Sequence, residues 1–323
     1  MFVELHMLQN FAPHCLNRDD TNTPKDCEFG GYRRARISSQ CLKRAARTSP
    51  VFEETLGSAT GLRTKLLVHR LTELISDEGK EPETCDAVVP AFVNAVAGKM
   101  KAQKTSVLLY LGEDEINRMA DLLLERWDEL ADLTDAEDKL GDLCKEIASS
   151  FESGTKAADI ALFGRMVAEN TDMNVDAASQ VAHAISTHAV NMEMDFYTAV
   201  DDLQPSEEPG ASMMGVTQFN SSCFYRYALV DLNQLVENLD KDEELARAAV
   251  EAFLRAAIAA IPSGKQNSMA AHNPPSFIMA VARDGSAPWS LANAFVHPAR
   301  PRNDRSLVQD SAAKLAGYWY RLA

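Results

Sequence analysis

No CxxC pair occurs in this chain. Its six cysteines, Cys15, Cys27, Cys41, Cys85, Cys144 and Cys223, are dispersed. That spacing argues against a zinc site and a disulfide frame, and for reduced thiols in a cytoplasmic protein. Aromatic residues make up 7% of the chain, with three Trp. No apolar run approaches the ~20 residues of a membrane-spanning helix, so no membrane partner is expected. The opening MFVELHMLQNF is too short and too acidic for a signal peptide. Its alternation of Val3, Leu5 and Met7 with Glu4 and His6 predicts a first strand instead. GxxxxGK[ST] is absent, which excludes a P-loop. His183 and His188 lie about 140° apart if they sit on a helix, which makes a shared ion unfavourable. No metal and no cofactor are expected.

Positive charge is also scarce: 32 Lys and Arg stand against 47 Asp and Glu in 323 residues, a net charge of −15. One window reverses the balance. From Lys25 to Arg47, seven basic residues (Lys25, Arg33, Arg34, Arg36, Lys43, Arg44, Arg47) face only Asp26 and Glu28. A basic island in an acidic chain points to an anionic ligand held at one place. Gly30-Gly31 permits a tight turn with positive φ. Arg33 to Ile37 reads as extended. Ser38-Ser39 offers a helix cap, and Gln40 to Arg47 has helical composition. A helix N-terminus with Ser38, Ser39 and Gln40 beside Lys43, Arg44 and Arg47 suits a phosphate. The same residues also describe a capped surface helix with a solvated basic face.

Beyond Pro50 the composition changes. Residues from about Leu62 to Phe151 read as wholly helical, with Leu67, Leu71, Leu74 and Ile75 on one stripe. Further helices are predicted near Ala87–Ala102, Glu115–Leu130 and Ala136–Phe151. Between Glu113 and Glu152 there are 14 acidic and 4 basic residues, a solvated face unsuited to phosphate. Asp159 to Met166 reads as a strand, and Val175 to Val190 as a helix capped by Asn174. Val190 to Asn220 has hairpin grammar: two apolar arms around a Pro/Gly-rich tip at Pro205 to Gly210. Phe224 to Leu229 and Pro275 to Arg283 read as strands. Lys241 to Ala260 and Ser306 to Leu322 read as helices, the last burying Leu315, Tyr318, Trp319 and Leu322. Strands and helices in this order, with a helical interruption, predict an α+β fold.

NRDD, followed by FGGYRRARISSQCLKRAAR, resembles the N-terminal signature of the CasC (Cse4) family. Its members are the backbone subunits of the type I-E CRISPR surveillance complex, Cascade. The likeness continues in DIALFGRM, AHAISTH, FYTAVDDLQ, FYRYALVDLNQL, GKQN and LANAF, in order through nearly the whole chain. It is loose from about residue 55 to 155. The resemblance implies a modified RRM-like (ferredoxin-like) palm with a helical fingers insertion and a β-hairpin thumb. Residues 1–55, 158–189 and 222–323 would form the palm, 56–157 the fingers and 190–221 the thumb. It implies a binder, not an enzyme, whose partners are CRISPR RNA, target DNA paired to that RNA, neighbouring copies in a head-to-tail filament, and other Cascade subunits. The RNA-binding residues would be Asn17, Arg18, Lys25, Arg33, Arg34, Arg36, Ser38, Ser39, Gln40, Lys43, Arg44, Arg47, Arg165, Met166, Lys265, Gln266 and Asn267. Phe196, Tyr197 and Val200 would kink the RNA. A rival reading is a metal-dependent RNase using Asp19 and Asp20, since paired carboxylates can hold Mg²⁺ against phosphates. Turn-forming Asp is the commoner use of such residues.

Overall fold

The computed structural model describes residues 1–57, 59–151, 154–167, 170–200, 211–302 and 304–323. It is a mixed α+β chain with antiparallel strand pairs, and it divides into two compact units. The first comprises Met1–Phe52, Gln180–Leu229 and Phe253–Ala323; the second comprises Glu53–Ser179 and Val230–Ala252. Charge follows the same division. The first unit has 17 basic and 14 acidic residues, the second 15 and 33. The whole negative excess therefore belongs to the second unit, and an anionic ligand is favoured only at the first.

The first unit is built on a sheet. Its strand order is Phe277–Arg283, Phe2–His14, Ala211–Asp231, Ala184–Ser186, Tyr32–Ile37, Asp26–Phe29. Phe2–His14 lies inside the sheet, and Glu4 through Gln9 are all buried. Period-2 alternation sends Leu5 and Met7 against Ala257, Leu254 and Ile258 of helix Glu243–Ala259. Glu4 and His6 are buried with complementary partners. Glu4 accepts from the Trp289 N–H at 2.6 Å and from Arg283 Nε at 2.9 Å. His6 Nδ1 lies 2.9 Å from the Tyr225 hydroxyl. Asp26–Phe29 and Tyr32–Ile37 form a hairpin closed by Gly30-Gly31, both at positive φ (63° and 78°), as a two-residue primed turn requires. A Cβ on Gly30 would also overlap the Val296 carbonyl.

His14 ends the first strand wedged between the rings of Phe11 and Phe224, at 5.4 and 5.5 Å, and neither ring nitrogen has a hydrogen-bond partner. Burial holds its pKa down to about 4. The unfolded chain therefore takes up this proton first. Stability is lost as pH falls from about 6.5 to about 4, by about 3 kcal/mol at the limit. Urea titrations at pH 7 and 4.5 are expected to show a smaller acid loss in His14→Phe than in the wild type. An equal loss in both would mean that His14 is not buried neutral.

The second unit packs helices Leu67–Asp77, Pro82–Ala97, Glu113–Glu125, Trp127–Ala131 and Glu137–Ser149 around a core that includes Leu71, Phe92, Met119 and Ile147. Leu67, Leu71 and Ile75 are buried at the expected spacing. The region is not wholly helical: Gly61–Thr64 pairs with Leu109–Gly112, and Met100–Lys101 with Lys104–Thr105. Among the described residues, no helix is long and apolar enough to cross a membrane.

Two segments differ from their sequence reading. Asp159 to Met166 is not a strand; Ala158–Phe163 is a helix that stops at Gly164, whose φ is 77°. Ala158 to Leu162 are all buried, so alternation carried no information there. Val175 to Val190 is not a helix. It holds two short strands, Ser179–Val181 and Ala184–Ser186. The Ala182 N–H donates to the Tyr227 carbonyl at 2.9 Å, and Ala184 pairs with Ile37. Sheet pairing over long sequence distance overrides alanine's helical preference here. In the C-terminal helix Leu307–Leu322, Leu315 is buried and Trp319 packs on Trp289, but Leu322 is exposed.

Candidate nucleic-acid interface

The basic helix of the first unit spans Ser39–Arg47, with Ser38 as its cap. Ser38 Oγ accepts from the Cys41 N–H at 3.4 Å. The Ser38 N–H donates to Asn17 Oδ1 at 2.8 Å, and the Asn17 carbonyl accepts from the Lys25 N–H at 2.9 Å. Asn17 thus pins the loop that carries Arg18 to the start of the basic helix. His183 adds a contact that sequence reasoning missed. Its Nδ1 accepts from the Ser39 N–H at 3.1 Å, and Arg36 Nη1 approaches to 3.5 Å. Burial and the charges of Arg36 and Lys25 hold this imidazole below its ordinary pKa, which keeps Nδ1 able to accept. Two of the first three helix N–H groups are therefore already engaged, and the cations carry most of the attraction for an anion.

Those cations converge. Lys25 and Arg44 both act on the Cys41 thiol, opposing the burial that pushes its pKa up. Arg18 and Lys265 both act on the Cys15 thiol in the same way. Geometry places them together. The Arg36 N–H donates to the Lys25 carbonyl and the Lys25 N–H to the Asn17 carbonyl, both at 2.9 Å. Arg18 and Arg44 line one cavity, and Gly264 abuts the Leu16 carbonyl, so a strip runs through Lys265, Arg18, Arg44, Lys25 and Arg36. Arg44 is exposed, and Arg18, Lys25, Arg36 and Lys265 are half-buried. Lys43 and Arg47 are half-buried on the same helix, Gln40 is exposed at its start, and Asn267 is exposed beside Lys265. Arg33 is exposed and pairs with Asp26. Lys265, at φ 53°, begins the short turn Gln266–Met269. The Gln266 amide donates to the Pro262 and Ala271 carbonyls at 3.1 and 3.4 Å, so it closes its own loop.

Two arginines expected at the interface are not there. Arg34 is fully buried; it donates to the carbonyls of Phe295 (2.7 Å), Ser186 (3.1 Å), Val296 (3.3 Å) and Phe29 (3.3 Å). Its guanidinium ties the Gly30 hairpin to the Phe295 turn. Arg165, in the second unit, is buried against Glu115: its Nη1 lies 2.8 Å from both carboxylate oxygens, and its Nε donates to the Met173 carbonyl at 2.7 Å. A buried arginine with internal partners presents no charge to a phosphate. Met166 beside it is 88% exposed.

The hairpin arms Glu193–Val200 and Ala211–Asp231 are antiparallel, with Phe196 opposite Val216 and Tyr197 opposite Gly215. Phe196 is 62% exposed and Tyr197 45%, so these rings do not sit in this unit's core. Met194, Met213, Met214 and Val216 are exposed with them. Val200 closes the first arm; Pro205 to Gly210, expected at the tip, lies outside the described residues. Asp19 Oδ1 accepts from the Thr21 N–H, the Thr21 hydroxyl and the Thr23 N–H, all within 2.9 Å. That is a local turn. Among the described residues, no His, Cys, Asp and Glu group is arranged to hold a metal ion.

The family model described as "CT1975-like protein" matches residues 3–323. A chain of a solved "CRISPR RNA-guided surveillance complex, pre-nicking" is 34% identical. It matches 100% of this chain and 88% of its own length, with a TM-score of 0.83. A chain of a second solved "CRISPR RNA-guided surveillance complex" is 28% identical. The match covers 100% and 87% of the two chains, with a TM-score of 0.73. Comparison with curated proteins gives no match.

Proposed function

The chain belongs to the CT1975-like protein family, and from that premise we propose that it is the backbone subunit of a type I-E CRISPR surveillance complex, Cascade. The observation that carries this reading is the basic strip through Lys265, Arg18, Arg44, Lys25 and Arg36, confined to one unit of an otherwise acidic chain. Arg and Lys grip phosphates, which sets register without reading sequence. A subunit that must hold any guide needs that property, because base pairing then reads the target. In this reading most of the sheet unit belongs to the modified RRM-like palm, residues 56–157 are the fingers and the exposed hairpin is the thumb, while residues 158–179 and 230–252, expected in the palm, cluster with the helical unit. Copies stack head-to-tail along CRISPR RNA. A heterologous contact of this kind need not close, so RNA length sets copy number. Met166 and the hairpin rings are the candidates for wedging between bases, since every base offers a π-face. Target DNA joins by pairing to the guide, and other Cascade subunits complete the complex. The role is binding, not catalysis. The turn that engages Asp19 favours a structural use of that loop over a metal-dependent RNase.

Replacing Phe196 and Tyr197 with Ser tests the thumb. The variant is expected to melt within a degree or two of the wild type and to retain RNA. Kinks made once per subunit would give the wild-type RNA evenly spaced nuclease-sensitive positions, and these are expected to disappear. An unchanged pattern, or an unfolded variant, would contradict the assignment.

A further inference from the structure

Arg226 stands on strand Ala211–Asp231, inside the sheet unit, and is 6% exposed. Its Nη1 donates to Gln9 Oε1 and its Nη2 to the Ala257 carbonyl at 2.7 Å. Both acceptors are neutral. Its Nε is buried with no acceptor among the described residues. Burial draws its pKa down to about 10, and no carboxylate pulls the other way. The guanidinium nevertheless keeps its proton at neutral pH. The other buried arginines are served differently. Arg165 lies against Glu115 and Arg283 against Glu4, while Arg34 meets four carbonyls. A cation withdrawn from water without a counter-charge is strongly unfavourable, so buried charges are paired.

Arg226 also lines a cavity of about 20 Å³ between the basic helix Ser39–Arg47, the sheet and helix Glu243–Ala259. Space of about 10–15 Å³ admits one water-sized guest. The cavity therefore takes a single small ion and is too small for phosphate, sulfate or a carboxylate group. Lys43, half-buried, is a second cation on its wall. Met7, Leu42, Val181 and Phe253 give apolar surface, and among the described residues no Asp or Glu lines it. Such a wall cannot replace the water shell of a strongly hydrated anion. A halide gives up its water at lower cost and needs few donors.

We propose that this cavity binds one halide ion, chloride under ordinary conditions, with Arg226 Nε as its donor and Lys43 as a second positive charge. The ion supplies the acceptor that Nε lacks and the counter-charge that Gln9 and Ala257 cannot give. It also joins the basic helix to the sheet from the inner side, because Lys43 and Arg226 belong to those two elements.

Bromide is the probe, since it scatters anomalously. Wild-type crystals grown from halide-free acetate and soaked in sodium bromide are expected to show a bromine peak in the cavity at Arg226 Nε. In dilute sodium gluconate, exchanging gluconate for chloride or bromide at constant ionic strength is expected to slow hydrogen exchange across Phe2–His14 and Ser39–Arg47. The slowing should saturate in the manner of a single site and reach about tenfold once halide exceeds its dissociation constant about tenfold. Sulfate is expected to give no saturating change. Arg226→Met replaces the charge with an apolar chain and is expected to exchange at one rate in every salt. Bromine at exposed cations such as Arg44 with none at Arg226 would overturn the proposal. So would wild-type exchange indifferent to halide, or an equal effect of sulfate, which marks screening of surface charge. Should Arg226→Met fail to fold, the wild-type peak and salt series decide by themselves.

Discussion

Exchanging Lys25 and Arg44 for Glu is expected to weaken binding to every RNA sequence by the same factor, roughly a hundredfold. Each loses a charge-assisted contact of about 1.5 kcal/mol, and about 3 kcal/mol is a factor of about a hundred in affinity. Both side chains bear on the Cys41 environment at the centre of the strip, yet neither holds the fold together as Arg34 does. Melting temperature should therefore stay near the wild-type value. Salt dependence distinguishes this mechanism from misfolding. For single-stranded nucleic acid the slope of log K against log salt is about 0.7 per neutralised phosphate. The double variant should flatten that slope by about 1.4. Losses confined to some guide sequences would mean that these residues read bases, and the backbone-grip account would fail.

Replacing Glu115 with Ala is expected to destabilise the helical unit by about 3–5 kcal/mol, because it leaves the Arg165 charge buried without its counter-charge. The damage is double. Glu115 Oε2 also accepts the Gly112 N–H at 2.7 Å, at the start of helix Glu113–Glu125. Burial pushes this carboxyl's pKa up and Arg165 pulls it down, so the pair is stable only while both members are present. Hydrogen exchange should show amides around Leu71, Phe92 and Met119 losing protection. Glu115→Ala with Arg165→Met should recover much of the loss. If Arg165 instead serves RNA, Arg165→Met alone would weaken RNA binding at unchanged stability.

The features legible in the sequence were local ones. Gly30-Gly31 announced a turn that needs positive φ at both positions, and Ser38 announced a cap three residues before the N–H it receives. Leu67, Leu71 and Ile75 announced a buried stripe. Sorting the cations was not legible. Arg33 and Arg34 are neighbours of one type, yet Arg33 faces solvent and Arg34 is sealed by Phe295 and Val296, some 260 residues away in the chain. Arg165 likewise depends on Glu115, 50 residues earlier. The helical reading of Val175 to Val190 failed for the same reason, since its pairing partners are Ile37 and Phe224. The same pairing, not a helix, brings His183 to the Ser39 N–H. Where the determining contact is distant in sequence, composition and spacing do not reveal it.

The most direct measurement is the absolute mass of the particle formed with CRISPR RNA, taken for two guides of different length before and after RNase. Backbone gripping requires a multi-copy particle with protected RNA, whose mass rises by whole chains with the longer guide. A particle of one chain without RNA, or a copy number indifferent to guide length, would contradict it.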